Sequence, residues 1–564
     1  MMHSPDFTFD RLIERSAKNH PAQPALSFVN QKPISYSSLY KKIRRLSCFL
    51  LEHGIRKGDK IALYGENSPN WGIFYFAVTT IGAVIVPILP DFRPNEVKAI
   101  LEHSESRMIG ISGKLLKKMS NVVVDALSTI VRIDDFDIFS DHSSFNVSET
   151  DAARLNFDET GEKPITRPNA AEPLNEDDLA AIIYTSGTTG QPKGVMLSHK
   201  NIISNAIAGT KIQTVTSNDR FLSVLPLSHT YECTIGMVLA VMQGASVYYL
   251  DRPPAPNVLL PAMKTVRPTM MLTVPMVIEK LYKNKISPQL NANRWIRTAC
   301  RIGFLRRTIY KKACKKLMAA FGGELHFFGI GGAALDPTVE KFLREGKFPY
   351  AIGYGLTETS PLIAGTNPQH SAYRSTGPGI VGISIKINTS RSDTGEGEIL
   401  VKGENVMKGY YKDPERTREV FTEDGWFRTG DLGTFNKHNY LYIKGRLKNL
   451  ILGPSGENIY PEEIEALINN HEFVLESIVY ELKGKLVAKV HLNHEKLEAT
   501  FNELKENASR LHADMQQRAN ELTIEIKAYV NERVNKFSRL SEVLHQAEPF
   551  EKTPTHKIKR YKYV

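Results

Sequence analysis

Eleven residues a third of the way along the chain, Tyr184–Gly194 (YTSGTTGQPKG), carry the densest candidate chemistry in the sequence. Glycines alternate with hydroxyl side chains, behind a run of strand character at Ala180–Ser186 (AAIIYTS). Backbone N–H groups that must approach an anion closely need glycine, and serine and threonine supply O–H donors. Lys193 adds a cation. The string reads as a phosphate cradle; a flexible Gly/Ser/Thr connector is the competing reading. It is not a Walker P-loop, which requires G-x-x-x-x-G-K-[ST], because Lys193 lies between Pro192 and Gly194. A second glycine run, GIGGAAL from Gly329, fits any strand-to-helix turn when taken alone.

Further blocks follow: LSHTYE (Leu227–Glu232), YGLTETSP (Tyr354–Pro361), GWFRTGDLG (Gly425–Gly433), GRLKNLILGPSGENIYPEEIE (Gly445–Glu465) and FEKTPTHKIKR (Phe550–Arg560). With the glycine loop, and in this order, they resemble the blocks of the AMP-forming adenylating enzymes. That superfamily includes acyl-CoA synthetases, luciferases and the adenylation domains of peptide synthetases. The resemblance spans nearly the whole chain. ILGPSGENIYPEEIE and FEKTPTHKIKR look most like the long-chain fatty acyl-CoA synthetases.

The resemblance implies an ATP- and Mg2+-dependent ligase acting in two steps. A fatty acid of medium to long chain and ATP give acyl-AMP and pyrophosphate; CoA then gives acyl-CoA and AMP. Both partners of the first step are anionic, so the site must neutralise charge and hold them in line. By resemblance, Thr185, Ser186, Gly187, Thr188, Thr189, Gly190 and Lys193 cradle the pyrophosphate portion. Thr357 hydrogen-bonds the α-phosphate, and Glu358 holds Mg2+, a hard cation that prefers oxygen ligands. Tyr354 lines the adenine site, with Gly331, Gly332 and Ala333 as its opposite wall. Asp431 accepts the ribose hydroxyls, which suits an acceptor-only carboxylate, and Arg446 supports the same ribose. Lys557 reaches the α-phosphate and carboxylate oxygens, although His556 stands where the family usually has glycine. His229 is either a substrate-contacting gate or a core histidine; no His/Cys cluster accompanies it to suggest a metal. Lys448 matches the hinge about which the C-terminal domain swings, and Gly456 lines the pantetheine path of CoA. Lys559 and Arg560 read as a basic tail, and Trp426 as packing. The acceptor is expected to be a separate molecule, either CoA or an acyl carrier protein.

The elements that must position these residues are of α/β type. Helical patterns alternate with short Val/Ile/Leu strands through the first 440 residues or so, as at Lys60–Gly65, Arg220–Pro226 and Thr269–Pro275. The uncharged stretch Trp71–Pro90 barely reaches the length of a membrane span. It reads instead as a buried helix ending near Gly82 and a strand stopped by Pro87 and Pro90, and Cys233–Leu250 divides likewise at Gly244. A polar stretch, Asp158–Asp178, reads as a linker. From Val401 the texture becomes turn-rich. The expected organisation is a large N-terminal AMP-binding domain (1–445) of several layered subdomains. A small, mobile α+β C-terminal domain (446–564) follows, with a helical insertion at about 491–546.

Composition bounds the rest. A hydrophobic fraction of 41% excludes wholesale disorder. Four scattered cysteines without a CxxC pair argue against a disulfide scaffold or zinc ribbon and fit a reducing, cytoplasmic setting. The N-terminal residues show no apolar signal region. The net charge of +11 is local: Pro261–Ala320 holds 14 Lys+Arg against one acid, Glu279. Within it Trp295, Ala299, Ile302, Leu305, Ile309, Ala313, Leu317 and Phe321 recur at helical spacing, bordered by arginines and lysines from Arg294 to Lys316, with Gly303 a candidate interruption of the helix. That stripe either faces the core, with a solvated basic rim, or meets the inner face of an anionic membrane. No nucleic-acid motif accompanies it, so no nucleic-acid partner is expected. A non-catalytic basic membrane-binding protein is the reading from another class, opposed by the intact Glu358, Asp431 and Lys557.

Overall fold

The computed structural model describes residues 7–140, 144–148, 152–155, 172–185, 193–389, 395–453, 457–502, 511–553 and 558–564. Short Val/Ile/Leu runs become strands of two large sheets, one mainly parallel and one mixed. One has eight strands, in the order Leu362–Gly365, Tyr350–Gly355, Phe327–Ile330, Met270–Thr273, Arg220–Ser223, Ser246–Tyr249, Pro24–Phe28 and Ile34–Ser35. Its six inner strands are parallel, and the outermost strand at each edge is antiparallel. The other has nine strands: Gly409–Tyr410, Lys193–Ser198, Leu179–Thr185, Val84–Ile88, Lys60–Tyr64, Met108–Ile111, Thr129–Arg132, Asp137–Ser140 and Ala153–Arg154.

Alternation along these strands decides what lies between the sheets. Ile61 and Leu63 of one sheet and Phe221, Val247, Met270 and Leu272 of the other share one core. The helices Phe9–Asn19, Tyr36–Glu52, Pro69–Thr80 and His199–Ile212 contribute to the same core. The intervening residues Ala62, Tyr64, Val84 and Val86 face a second core, and Leu222, Met271, Phe328 and Ile330 a third. Pro69–Thr80 is buried on every side from Trp71 onward, as its lack of a polar face requires. Ser68 caps its N-terminus, accepting from the Trp71 N–H. The uncharged stretch 71–90 is thus the expected helix and strand (Val84–Ile88), with Gly82 at φ +81° between them. The second uncharged run also turns at Gly244 (φ +76°), but its first part is a π-helix, Tyr231–Val238. Among the described residues no helix is long and apolar enough to cross a membrane.

A four-stranded antiparallel sheet follows: Ile383–Asn388, Gly397–Gly403, Phe427–Phe435 and Leu441–Arg446. The last part of the chain adds a strand pair, Ile451–Leu452 with Asn458–Ile459. It also adds a three-stranded sheet, Val474–Leu482, Lys485–Leu492 and Glu542–His545. The helical stretch expected at about 491–546 is narrower than the charge pattern suggested. Its helices are His494–Asn502 and Leu511–Asn531, while Glu542–His545 is a strand pairing in parallel with Lys485–Leu492. The Lys283 ammonium bridges from the π-helix Tyr282–Ile286 to this region, donating to the His471 and Val474 carbonyls at 3.3 and 3.0 Å. Most of the expected linker at Asp158–Asp178 lies outside the described residues.

Trp71 stacks on Tyr75 in the layer between the sheets, ring centroids 5.4 Å apart. Truncation there leaves a cavity that neither sheet can close. Trp71→Ala is expected to destabilise by about 3–5 kcal/mol, lowering the melting temperature in calorimetry, with Trp71→Phe in between.

Candidate active site

The glycine loop joins Leu179–Thr185 to Lys193–Ser198, two antiparallel strands in which Thr185 pairs with Lys193. Residues 186–192 lie outside the described residues, and with them Ser186, Gly187, Thr188, Thr189 and Gly190. The two ends of the loop are described. The Thr185 hydroxyl is buried with no hydrogen-bond partner among the described residues. Tyr184 is held by His103 (OH to Nδ1, 2.7 Å).

Lys193 reaches the second large sheet. Its Nζ lies 2.8 Å from Oε1 of Glu358, in the turn Thr357–Thr359 that follows the strand Tyr350–Gly355. The Tyr410 hydroxyl completes a triangle. It accepts from Lys193 at 2.9 Å and donates to Glu358 Oε1 at 2.9 Å, and the lysine also sits over the tyrosine ring, 4.5 Å from its centre. Burial alone would raise the Glu358 carboxyl. Lys193 and Tyr410, with a backbone hydrogen bond, outweigh it and hold the group below its ordinary value. The carboxylate is therefore ionised at neutral pH inside the protein. A hard, charged oxygen ligand in a turn beside a phosphate-type loop fits a divalent cation completed by phosphate oxygens and water. Among the described residues no group of three or more His, Cys, Asp or Glu is placed to hold a metal alone.

Two buried asparagines fix the turn that carries Thr357 and Glu358. Asn205 donates to the carbonyls of Thr359 (3.3 Å) and Leu362 (2.8 Å) and accepts from the Leu362 N–H at 3.1 Å. Asn405 donates to the same two carbonyls, at 2.7 and 2.8 Å. Neither these asparagines nor Tyr410 was expected from sequence. A single Asn or Tyr carries no spacing signal, and each acts on residues between 43 and 217 positions away.

A second cluster adjoins the first. The Tyr354 hydroxyl donates to Asp431 Oδ2 at 2.7 Å, while Arg446 Nε meets Oδ1 at 2.7 Å. Asp431 and Arg446 are cross-strand partners in the four-stranded sheet. Burial and the neighbouring Asp431 charge push the Tyr354 phenol well above its usual range, so it remains a donor. Arg446 is followed by the turn Leu447–Asn449, where Lys448 is exposed.

Gly331, Gly332 and Ala333 follow the strand Phe327–Ile330. A Cβ on Gly331 would come within 3.2 Å of the Tyr231 ring, and Gly332 has φ +85°, a conformation glycine alone adopts freely. Gly332 and Ala333 are exposed. His229 lies in the turn between Arg220–Ser223 and the π-helix. Asn67 pins that turn, donating to Ser223 Oγ (3.0 Å) and the Leu225 carbonyl (2.6 Å) and accepting from the Leu227 N–H (2.8 Å). Beneath it Glu232 is fully buried, and burial pushes its carboxyl up to about 8, against a hydrogen bond from Ser223.

Lys557 and Gly456 lie outside the described residues. The chain on either side of Lys557 closes on itself through a bridge between Lys552 and Ile558 and a Lys559 N–H to Glu551 carbonyl bond of 2.9 Å. Arg560 is not a solvated tail residue: its guanidinium pairs with Glu465 and donates to the Val479 carbonyl at 3.2 Å. Lys559 likewise pairs with Glu551 at 2.7 Å. The reason is burial of Glu465, whose carboxyl is raised to about 7 and needs a cation.

With this geometry in place, comparison identifies the class. Residues 13–411 match the family described as AMP-binding enzyme, and the chain belongs to that family of adenylate-forming ligases. It is 28% identical to fatty acyl-CoA synthetase A of Dictyostelium discoideum, over 94% of this chain and 84% of that protein. It is 29% identical to long-chain-fatty-acid–CoA ligase 6 of Rattus norvegicus, over 81% and 69%. Among solved structures it is similar to ATP-bound MatB from Rhodopseudomonas palustris (TM-score 0.72, 22% identity, 98% of each chain). O-succinylbenzoate coenzyme A synthetase from Bacillus subtilis, in complex with ATP and a magnesium ion, is similar too (TM-score 0.73, 23% identity, 98% of each chain).

Removing the Tyr410 hydroxyl takes one hydrogen bond from a buried carboxylate, worth about 1.5–3 kcal/mol. Tyr410→Phe is expected to slow ATP–pyrophosphate exchange by roughly tenfold to a hundredfold, with the melting temperature little changed; wild-type exchange would refute the role of the triangle. Glu232 predicts a pH effect. Its folded value of about 8 lies above the ordinary 4.5, so its contribution to stability is full below the ordinary value and is lost as pH rises towards about 8. Glu232→Gln should flatten the fall in melting temperature between those two values, leaving the smaller share due to Glu465.

Proposed function

We propose that the protein activates a medium-to-long-chain fatty acid with ATP and transfers the acyl group to CoA. The named curated relatives support the substrate class: those at 28 and 29% identity are a fatty acyl-CoA synthetase and a long-chain-fatty-acid–CoA ligase. The observation that carries the chemistry is the Lys193–Glu358–Tyr410 triangle beside the Tyr354–Asp431–Arg446 cluster. One pairs a cation and an ionised carboxylate at the mouth of a glycine loop. The other presents a carboxylate that can accept from a diol.

In this reading the glycine loop and Lys193 hold the β- and γ-phosphates. Glu358 holds Mg2+, as the magnesium complex of the Bacillus subtilis neighbour makes reasonable for the fold; the ion supplies charge neutralisation when bound. Tyr354 and the Gly331–Ala333 wall flank the base, Asp431 and Arg446 hold the ribose, and Thr357 donates to the α-phosphate. The acyl carboxylate oxygen bonds to the α-phosphorus as the bond to the bridging oxygen breaks, and pyrophosphate leaves with that electron pair. Lys557 neutralises charge accumulating on the α-phosphate and carboxylate. His229 contacts the acyl carboxylate side. Residues 446–564 then rotate about Lys448, bringing Gly456 to the pantetheine. The thiol sulfur attacks the acyl carbonyl and AMP departs as the leaving group, with no protein nucleophile required. In this reading the enzyme works in the cytoplasm, taking fatty acid, ATP and CoA as separate molecules.

Glu358→Ala and Lys557→Ala are each expected to abolish ATP–pyrophosphate exchange while the circular dichroism spectrum is retained; full exchange in either variant refutes the assigned roles. A ligation panel from acetate to oleate should give the highest kcat/KM with medium or long chains. AMP release that requires holo-carrier protein instead of CoA would replace the acceptor proposed here.

A further inference from the structure

The connection between the strands Met270–Thr273 and Phe327–Ile330 carries most of the charge excess. It leaves the site at Val274, 3.7 Å from where a Cβ on Gly332 would lie, and returns at Gly331. The expected single apolar stripe is not continuous along it. Arg294–Ala299 is one short helix and Gly303–Ala320 a second, broken at Cys300–Ile302. The far end of the stripe is core: Leu317 and Phe321 are buried, with Cys314 beside them, and Ile309 and Ala313 pack against the same cluster. The near end faces outward. Trp295 is 83% exposed and Ile302 46%, and Phe304, which the stripe did not include, is 69% exposed.

Single exposed apolar side chains are ordinary, but three large ones within ten consecutive residues are not. The corner that bears them is a defined one. Cys300, Arg301 and Ile302 N–H groups bond to the carbonyls of Ile296, Thr298 and Ala299 at 2.9–3.0 Å, and the Arg306 N–H bonds to Ile302. Arg294, Arg297, Arg301 and Arg307 flank it in sequence and Lys311, Lys312, Lys315 and Lys316 follow along the second helix, all exposed, and no acid occurs from 294 to 316. Arg306 is taken by Glu345 in a two-pronged pair (2.7 and 2.9 Å). Among the described residues none of the other eight forms an ion pair.

A purely solvated basic face explains the cations but not the exposed Trp295, Ile302 and Phe304. A nucleic-acid groove explains cations and aromatics, but this is a projecting helix corner that also presents an aliphatic side chain. An apolar tip flanked by unpaired cations complements a surface that is anionic outside and apolar beneath. We propose that this corner docks the protein on anionic membranes, with Trp295, Ile302 and Phe304 entering the boundary between headgroups and acyl chains and the eight cations facing the headgroups. The docked corner and the Gly331–Ala333 wall then belong to one continuous connection. The inference rests on surface chemistry and stands whether or not the substrate is a fatty acid.

The test is co-sedimentation of the full-length protein with vesicles of phosphatidylcholine alone or mixed with phosphatidylglycerol, at low and high salt. Binding is expected only to the anionic vesicles and should weaken with salt. It should fall about tenfold in Trp295→Ala/Phe304→Ala and in Arg297→Glu/Lys311→Glu/Lys312→Glu, with unchanged melting temperatures because every altered side chain is exposed. Tryptophan emission should shift to the blue on anionic vesicles, and that shift should vanish in Trp295→Phe. Equal binding to neutral vesicles, wild-type binding by the Trp295/Phe304 variant, or no binding at all would overturn the proposal. Retention of a labelled RNA duplex with no sedimentation on vesicles would overturn it in favour of nucleic acid.

Discussion

The Lys193–Glu358 ion pair is the contact on which the site depends. Lys193 begins a strand of the nine-stranded sheet, and Glu358 sits in the turn that ends a parallel strand of the eight-stranded sheet. Tyr410, on the edge strand beside Lys193, adds a second bond across the same gap. Two sheets that meet largely through apolar packing, with Asn67 bonded to Ser223 and the turn after it, are also joined here by charge. Hydrophobic packing holds layers together but is tolerant of sliding; a buried ion pair with a third hydrogen-bonding partner is not. Within the stacking that the shared core sets, this pair holds Lys193 at the end of the glycine loop against the Glu358 carboxylate.

The second cluster extends the constraint. Tyr354 belongs to the same strand that precedes Glu358, and its hydroxyl reaches Asp431 in the four-stranded sheet. Arg446, across the strand pair from Asp431, leads directly into the turn holding Lys448. Three sheets thus contribute polar groups to a short path along the carboxyl end of one strand, the usual place for ligands in open parallel sheets. The asparagines Asn205 and Asn405 hold that path from behind by satisfying the same two carbonyls. Their hydrogen bonds leave the backbone of the turn that carries Thr357 and Glu358 with its buried carbonyls satisfied.

Much of this was readable in the chain. The glycine loop stood out from its residue types, YGLTETSP and RTGDLG from their resemblance to blocks of the adenylating enzymes, and residues of these blocks meet in the fold, Lys193 with Glu358 and Tyr354 with Asp431. The buried helix and strand of 71–90 were readable because apolarity without a polar face has one globular solution. The basic segment was readable only in part. Helical periodicity marked Trp295 through Phe321 as one stripe, but periodicity does not record where a helix ends. A corner at Cys300–Ile302 turned Trp295 and Ile302 of that stripe to solvent. Likewise Arg560 looked like tail because its partner, Glu465, lies ninety-five positions earlier.

By itself, the sequence determined the class of chemistry, the family and the order of the elements, since these reside in local residue type and spacing. Tertiary structure alone decided which groups meet: Lys193 with Glu358, Tyr354 with Asp431, Asn67 with the His229 turn, and Trp295 with solvent. The physical reason is range. Propensity, periodicity and motif act over a few residues, whereas an ion pair or a buried amide bond is specified by how sheets stack, and that depends on the whole core at once.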